Sequence, residues 1–307
     1  MDKRVLIIFF LLLVLVACTP QGRQTIGRGV KLEFIEYPKG ELLETGRGPE
    51  PFGLGLQVSN FASVPVQGQI CVRDTPFGIG GIPPNTCESV NLDPAFKAEN
   101  GQVRENTQGL QFGPFQYQGL DAGKTYTTEI SAELRYTIES RHFMDVCLVR
   151  DDTRSGVPGQ CKDDASVSVT QDLLPLAVKN VKKEVHHFSA GNVDQLFVKL
   201  VFNMGLDESN VQIMQQGDSG FARSSKSLVS VRVHGFGTDF ACTPLTREGV
   251  FDFRPDSTNE LRCTANIPLE QDRQDDLVEV RLGYGAGQTV SIPSVKLIKQ
   301  GDQGGVA

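Results

Sequence analysis

The chain has 307 residues, with 30 Lys and Arg against 37 Asp and Glu, for a formal net charge of −7 at pH 7. An acidic chain without a basic stripe argues against a nucleic-acid partner, and it gives no electrostatic pull toward anionic lipid. With 32 Gly, no Trp and many short apolar runs alternating with polar residues, the composition is that of a turn-rich β protein, not of a helical or disordered one.

Met1-Asp2-Lys3-Arg4 is a short segment of net positive charge, and Val5 to Ala17 is an unbroken apolar run. As a helix the run spans about 20 Å. That is short of a hydrocarbon core of about 30 Å and suits a signal-peptide h-region. Cys18-Thr19-Pro20 ends the run, and Pro20 discourages helix continuation. The residues Leu15-Val16-Ala17-Cys18 resemble the lipobox of bacterial and some archaeal lipoproteins. The resemblance implies a diacylglyceryl thioether on Cys18 and cleavage before it, giving a membrane contact through a lipid anchor. Two acyl chains are enough for stable anchoring. Ordinary secretory cleavage after Ala17 is the competing reading, but it places Leu15 where a small residue is preferred. An uncleaved filament-type leader fits poorly with so short a run. The signal peptide is thus 1–17; it holds one acid and two bases, so its loss moves the formal charge from −7 to −8. Residues 18–29 read as a lipid-anchored flexible tether and 300–307 as a disordered tail.

Strands of period 2 follow. Lys31–Tyr37 is the first. In Phe52–Ser59, Phe52, Leu54, Leu56 and Val58 share one face. Val66–Arg73 comes after a turn. The loop Thr75–Thr86 carries Phe77, Ile79 and Ile82, either to cap its own sandwich or to contact a partner. Asp93–Gln111 reads as a long, polar, mobile loop. Thr125–Ile138 keeps its alternation too long for a helix, and His142–Arg150 and Ala165–Thr170 complete this half. The second half predicts Ala177–Val185, Gln195–Asn203, Val211–Met214, Leu228–His234, Val250–Arg254, Glu260–Ala265, Leu277–Tyr284 and Thr289–Ile298. Gly283–Gln288 reads as the hairpin turn between the last two. Such spacing predicts an all-β fold of two β-sandwich domains, 30–172 and 173–299.

A weak internal repeat links the halves. An apolar strand ends in Val58-Ser59-Asn60 in one and in Val201-Phe202-Asn203 in the other, and Glu133-Leu134-Arg135 echoes Glu279-Val280-Arg281. On these residues the chain resembles tandem immunoglobulin-like domains of the CARDB kind, found in secreted archaeal and bacterial proteins. The resemblance implies a fold and hardly a function.

Cys71, Cys87, Cys147, Cys161, Cys242 and Cys263 remain beside Cys18, and six body cysteines fit an oxidising compartment. Local pairing gives Cys71–Cys87, Cys147–Cys161 and Cys242–Cys263. A rival pairs Cys71 with Cys147, whose strands look alike. Without a CxxC pair or a Cys-His cluster, a metal site is not expected.

The remaining chemistry is thin. His142, His186, His187 and His234 show no GxSxG or HExxH company, so they read as core or surface residues. Asp151, Asp152, Asp163 and Asp164 bracket the loop that Cys147–Cys161 would tie, and folding it back could gather calcium ligands. Interleaved Arg150, Arg154 and Lys162 favour a solvated loop instead. The glycine runs lack a phosphate-loop context, and Asn-x-Ser/Thr does not occur. No catalytic residue or cofactor is assigned. The expected function is a lipid-anchored, non-enzymatic extracytoplasmic protein of the cell envelope that binds an unknown envelope or surface protein. The rivals are a hydrolase or carbohydrate-acting enzyme built on converging carboxylates, and a solute-binding lipoprotein, whose long helical patterns are missing here.

Overall fold

The computed structural model describes residues 29–45, 48–75, 80–97, 103–154, 156–170, 174–190, 193–207, 211–214, 227–246, 249–255 and 257–299. The leader, Cys18, the tether before Gly29 and the tail 300–307 lie outside the described residues.

The described chain is nearly all strand. The first half contains β1 (Val30–Glu36), β2 (Glu41–Thr45), β3 (Gly48–Pro49), β4 (Phe52–Asn60), β5 (Val66–Asp74), β6 (Gly80–Gly81), β7 (Thr86–Leu92), β8 (Phe96–Lys97), β9 (Val103–Arg104), β10 (Asn106–Tyr117), β11 (Thr125–Val149), β12 (Asp164–Val167) and β13 (Val169–Thr170). The second contains β14 (Leu176–Ala190), β15 (Val193–Leu206), β16 (Val211–Met214), β17 (Ser227–Gly235), β18 (Thr238–Asp239), β19 (Ala241–Thr243), β20 (Val250–Phe253), β21 (Asn259–Pro268) and β22 (Arg273–Lys299). A 3-10 turn, Gly159–Cys161, precedes β12.

An 11-stranded sheet has the central order β18-β17-β22-β11-β5-β7. Its spine is the antiparallel pair of β11 and β22, in register from Thr125 opposite Ile298 to Val149 opposite Arg273. The even-numbered face of β11 is buried along the strand, from Ile130 and Leu134 to Val146 and Leu148. A 4-stranded sheet, β1-β4-β10-β6, meets the large sheet through β1 beside β22 and through β4 and β10 beside β7. A 5-stranded sheet, β12-β14-β15-β21-β19, meets it through β12 beside β11 and β19 beside β17. One hydrophobic core runs from Val30 to Leu297. Strands from 30–172 and from 173–299 therefore share a sheet and a core.

Three expectations need correction. Gly283–Gln288 is not a turn: β22 passes straight through it. Tight hairpin turns of the primed types need φ > 0, and Gly283, Gly285 and Gly287 are absent from the positive-φ residues. They and the intervening Tyr284, Ala286 and Gln288 are all buried within the strand. Thr125–Ile138 and His142–Arg150 are likewise one strand, because buried Ser140 continues the even face. The stretch Asp93–Gln111 is not simply a loop, since it holds β8, β9 and the start of β10. In β10, Phe112 and Phe115 are both buried across a bulge at Gly113-Pro114, which shifts the parity and hides the alternation. The proposed repeat also divides. Asn60 closes the turn after β4, its side chain bonding Val64 O, Asp93 O and the Ala62 N–H. Asn203 lies within β15.

Among the described residues, β1 and β7 end their sheets, and side chains cap part of each margin. Gln288 Oε1 accepts the Leu32 N–H of β1 at 2.8 Å. Gln108 of β10 accepts the Asn91 N–H of β7 at 3.1 Å, and its Nε2 reaches Ser89 O at 3.5 Å. Unpaired edge groups invite a foreign strand, and these carboxamides take one such group on β1 and two on β7.

A shared sheet and core predict a single cooperative unfolding step. Urea unfolding followed by far-UV circular dichroism should give one transition, with the amides of Leu134 and Val198 exchanging at the same free energy. Two separated transitions would show that the halves unfold independently.

Candidate functional site

The six body cysteines form the three local bridges. Cys71–Cys87 joins directly opposed residues of β5 and β7, and Cys242–Cys263 does the same for β19 and β21. Both bridges hold a strand at the margin of its sheet. Cys147–Cys161 ties the end of β11 to the 3-10 turn, with both cysteines buried. Each closes a loop of 14 to 21 residues in sequence separation, worth about 3 kcal/mol in the chain-entropy account.

The buried bridge leads to a residue whose importance sequence reading missed. Val181, Lys183 and Val185 of β14 all point inward, and Lys183 is fully buried. Its Nζ donates to Cys147 O at 2.5 Å and to Gln160 O at 3.1 Å. The amine therefore grips both ends of the disulfide-tied loop from a strand of the second half. Burial pushes its pKa down to about 8, against the pull of Asp163 and Asp152. Strand alternation was the available signal, because Lys183 falls between two inward valines.

The four loop acids take separate partners. Asp151 accepts the Thr153 N–H and hydroxyl, bonds that hold its carboxyl below the usual range. Asp152 accepts the Asp163 N–H at 3.3 Å. Asp163 meets His187 Nε2 at 2.9 Å, and burial raises its pKa despite that partner. Asp164 pairs with Lys182 at 3.3 Å. Among the described residues, the cluster with metal-ligand proximity is Cys147, Cys161 and Asp275, whose sulfurs are already bonded to each other. A calcium site in 151–164 gains nothing from this arrangement, and Lys183 would oppose it.

The histidines do not converge. His142 is buried in the core, 3.1 Å from Ser140 Oγ. His186 stacks on Phe197, His187 is held by Asp163, and His234 Nδ1 lies 2.7 Å from Asp239. In the apolar loop, Ile82 is buried and gives its N–H to Asp74, which also accepts the Tyr117 hydroxyl at 2.7 Å. That part of the loop folds onto its own sheets; Phe77 and Ile79 lie outside the described residues.

The outer face of the large sheet was not foreseen either. Arg141, Arg281 and Arg232 stand directly opposite one another on β11, β22 and β17. Arg281 holds the Glu279 carboxyl below the usual range, and Arg232 does the same to Asp239. Residues so far apart in sequence reveal the row only once register is known.

Lys183 gives a pH signature. Its folded pKa is about 8, against 10.5 for the free side chain. Between these values the unfolded chain binds a proton that the native one has released, so stability rises with pH. The stability contribution is fully present above the unfolded value and lost as pH falls through 8. Comparing chemical unfolding of the native chain and Lys183→Met across this window should show the rise in the first and not in the second; parallel curves would refute the assignment. Compared with known proteins, the sequence matches no family model and no curated protein.

Proposed function

We propose that the protein is a lipid-anchored, non-enzymatic interaction protein on the extracytoplasmic face of the cell envelope, serving adhesion or surface assembly. The observation that carries this reading is the set of three disulfides in a body built of strands. Such bridges form and persist in oxidising compartments. The lipobox-like Leu15-Val16-Ala17-Cys18 supports an anchor at Cys18, which is the cysteine left over from the three pairs. In this reading the two smaller sheets, each set against the large one, make two immunoglobulin-like halves of one rigid body. A rigid scaffold with polar outer faces suits recognition of a neighbour.

The anchor and the interaction have separate tests. Cys18→Ser should abolish metabolic labelling by a fatty-acid analogue and release the body from membranes; unchanged labelling would sink the anchor. Crosslinking on intact cells should capture a defined envelope neighbour. Recovery of lipid and self alone would overturn the interaction reading.

A further inference from the structure

The row formed by Arg141, Arg281 and Arg232 is a configuration that strand pairing does not favour. Neighbouring strands lie about 4.8 Å apart, so the row crosses the sheet over roughly 10 Å. Like charges directly opposite destabilise a sheet. The next row along is Phe143, Glu279 and His234.

The acids that compensate the row lie unevenly. The Glu279 side chain is 16% exposed, whereas those of Arg141, Arg281 and Arg232 are 54%, 42% and 64% exposed. Glu279 accepts Arg281 Nη2 at 2.9 Å and lies 3.8 Å from Arg141 Nε. The Glu279 carboxylate is thus recessed while the guanidinium groups reach toward solvent, and Glu139, an exposed carboxylate beside Arg141, also acts on Arg281. At the end of the row Asp239, itself half-exposed, holds Arg232 at 3.0 Å and His234 at 2.7 Å. Guanidinium groups ordered in advance lose less freedom when a ligand arrives. Each has five N–H donors in a fork that matches a carboxylate; the bond to Glu279 takes one from Arg281, and Asp239 takes two from Arg232.

Two crevices flank the row. One of about 190 Å³ is lined by Arg232, His234, Glu279 and Arg281. The other, of about 560 Å³, places Arg141 and Glu139 beside Phe143, Val64 and Pro65. Cationic forks in one and an aromatic ring with apolar neighbours in the other call for a ligand that alternates anions with rings having an apolar face.

We propose that this face binds an acidic polysaccharide of carboxylate-bearing sugars. One sugar carboxylate sits on Arg281 and Arg232, and an adjoining ring lies against Phe143 with Arg141 on its anion. The proposal rests on the interaction reading and names its partner. The acidic balance of the whole chain disfavours long polyanions on surfaces without such a row.

Calorimetric titration of the full chain in neutral detergent at low salt tests it, with polygalacturonate, neutral dextran and polyglutamate as probes. Polygalacturonate should bind and dextran should not. Arg281→Gln and Arg141→Gln should each weaken polygalacturonate by about tenfold or more. Arg281→Lys should bind more weakly than the native chain while keeping the charge. Phe143→Ala should weaken polygalacturonate and leave any polyglutamate binding untouched. Thermal melts matching the native chain show that the variants fold, and the exposed arginines make that the expected result. No binding of polygalacturonate, or binding indifferent to both Gln variants, would overturn the proposal. Polyglutamate binding as tight as polygalacturonate would do so too, reducing the row to a charge surface. If the glycan fails while a neighbour is still captured on intact cells, the interaction reading stands without this partner.

Discussion

The pairing of β11 with β22 is the constraint on which the rest of the molecule depends. Its register runs unbroken along both strands apart from one bulge between Thr128 and Ile130. One end of the pair is roofed by the 4-stranded sheet and the other by the 5-stranded sheet. On its far side β22 accepts β17, β16 and, in parallel, β2. Strands that are remote in sequence find their places as neighbours of this pair. Near its middle, Tyr284 is fully buried and its hydroxyl accepts the Leu176 N–H at 3.4 Å. That contact ties the start of β14 to the spine.

Lys183 is a second joint, of a different kind. A lysine at a core position is costly unless its proton donors find acceptors. Here two carbonyl oxygens, Cys147 O and Gln160 O, are offered by one disulfide-tied loop. The bridge fixes the acceptors and the amine fixes the loop against β14. Next to it Asp163 O accepts the Val185 N–H at 2.9 Å, and β12 pairs with β14 from Asp164 opposite Glu184 onward. A first-half strand thereby becomes the margin of a second-half sheet. The joint is polar and directional where the core is neither, so it specifies one arrangement of the two pieces.

Much of the fold was legible in the sequence wherever alternation was clean. Phe52–Ser59, Val66–Arg73 and Val211–Met214 fall where their alternating residues predict, and the local cysteine pairs form. The failures have physical causes. The glycines of β22, buried in the strand, read as punctuation because a glycine-rich run fits a turn as well as a strand whose partners supply the order. The bulge in β10 broke a pattern that was otherwise present. Register between distant strands has no local signature, so neither the shared sheet nor the arginine row could be read before β11 and β22 were placed together. Lys183 was visible as a strand residue, but its loop acceptors were not.

The side-chain closure of β1 and β7 carries a consequence for how such molecules can coexist. Proteins held by lipid are confined to two dimensions, where neighbours meet often and in similar orientation. A bare strand margin in that setting would recruit the margin of the next copy and propagate into a ribbon. Gln288 caps one N–H of β1, and Gln108 one N–H and one carbonyl of β7, from within the same chain. With the anchor proposed at Cys18, crowding on a membrane would then find these two margins already partly engaged, which lowers their pull on the next copy.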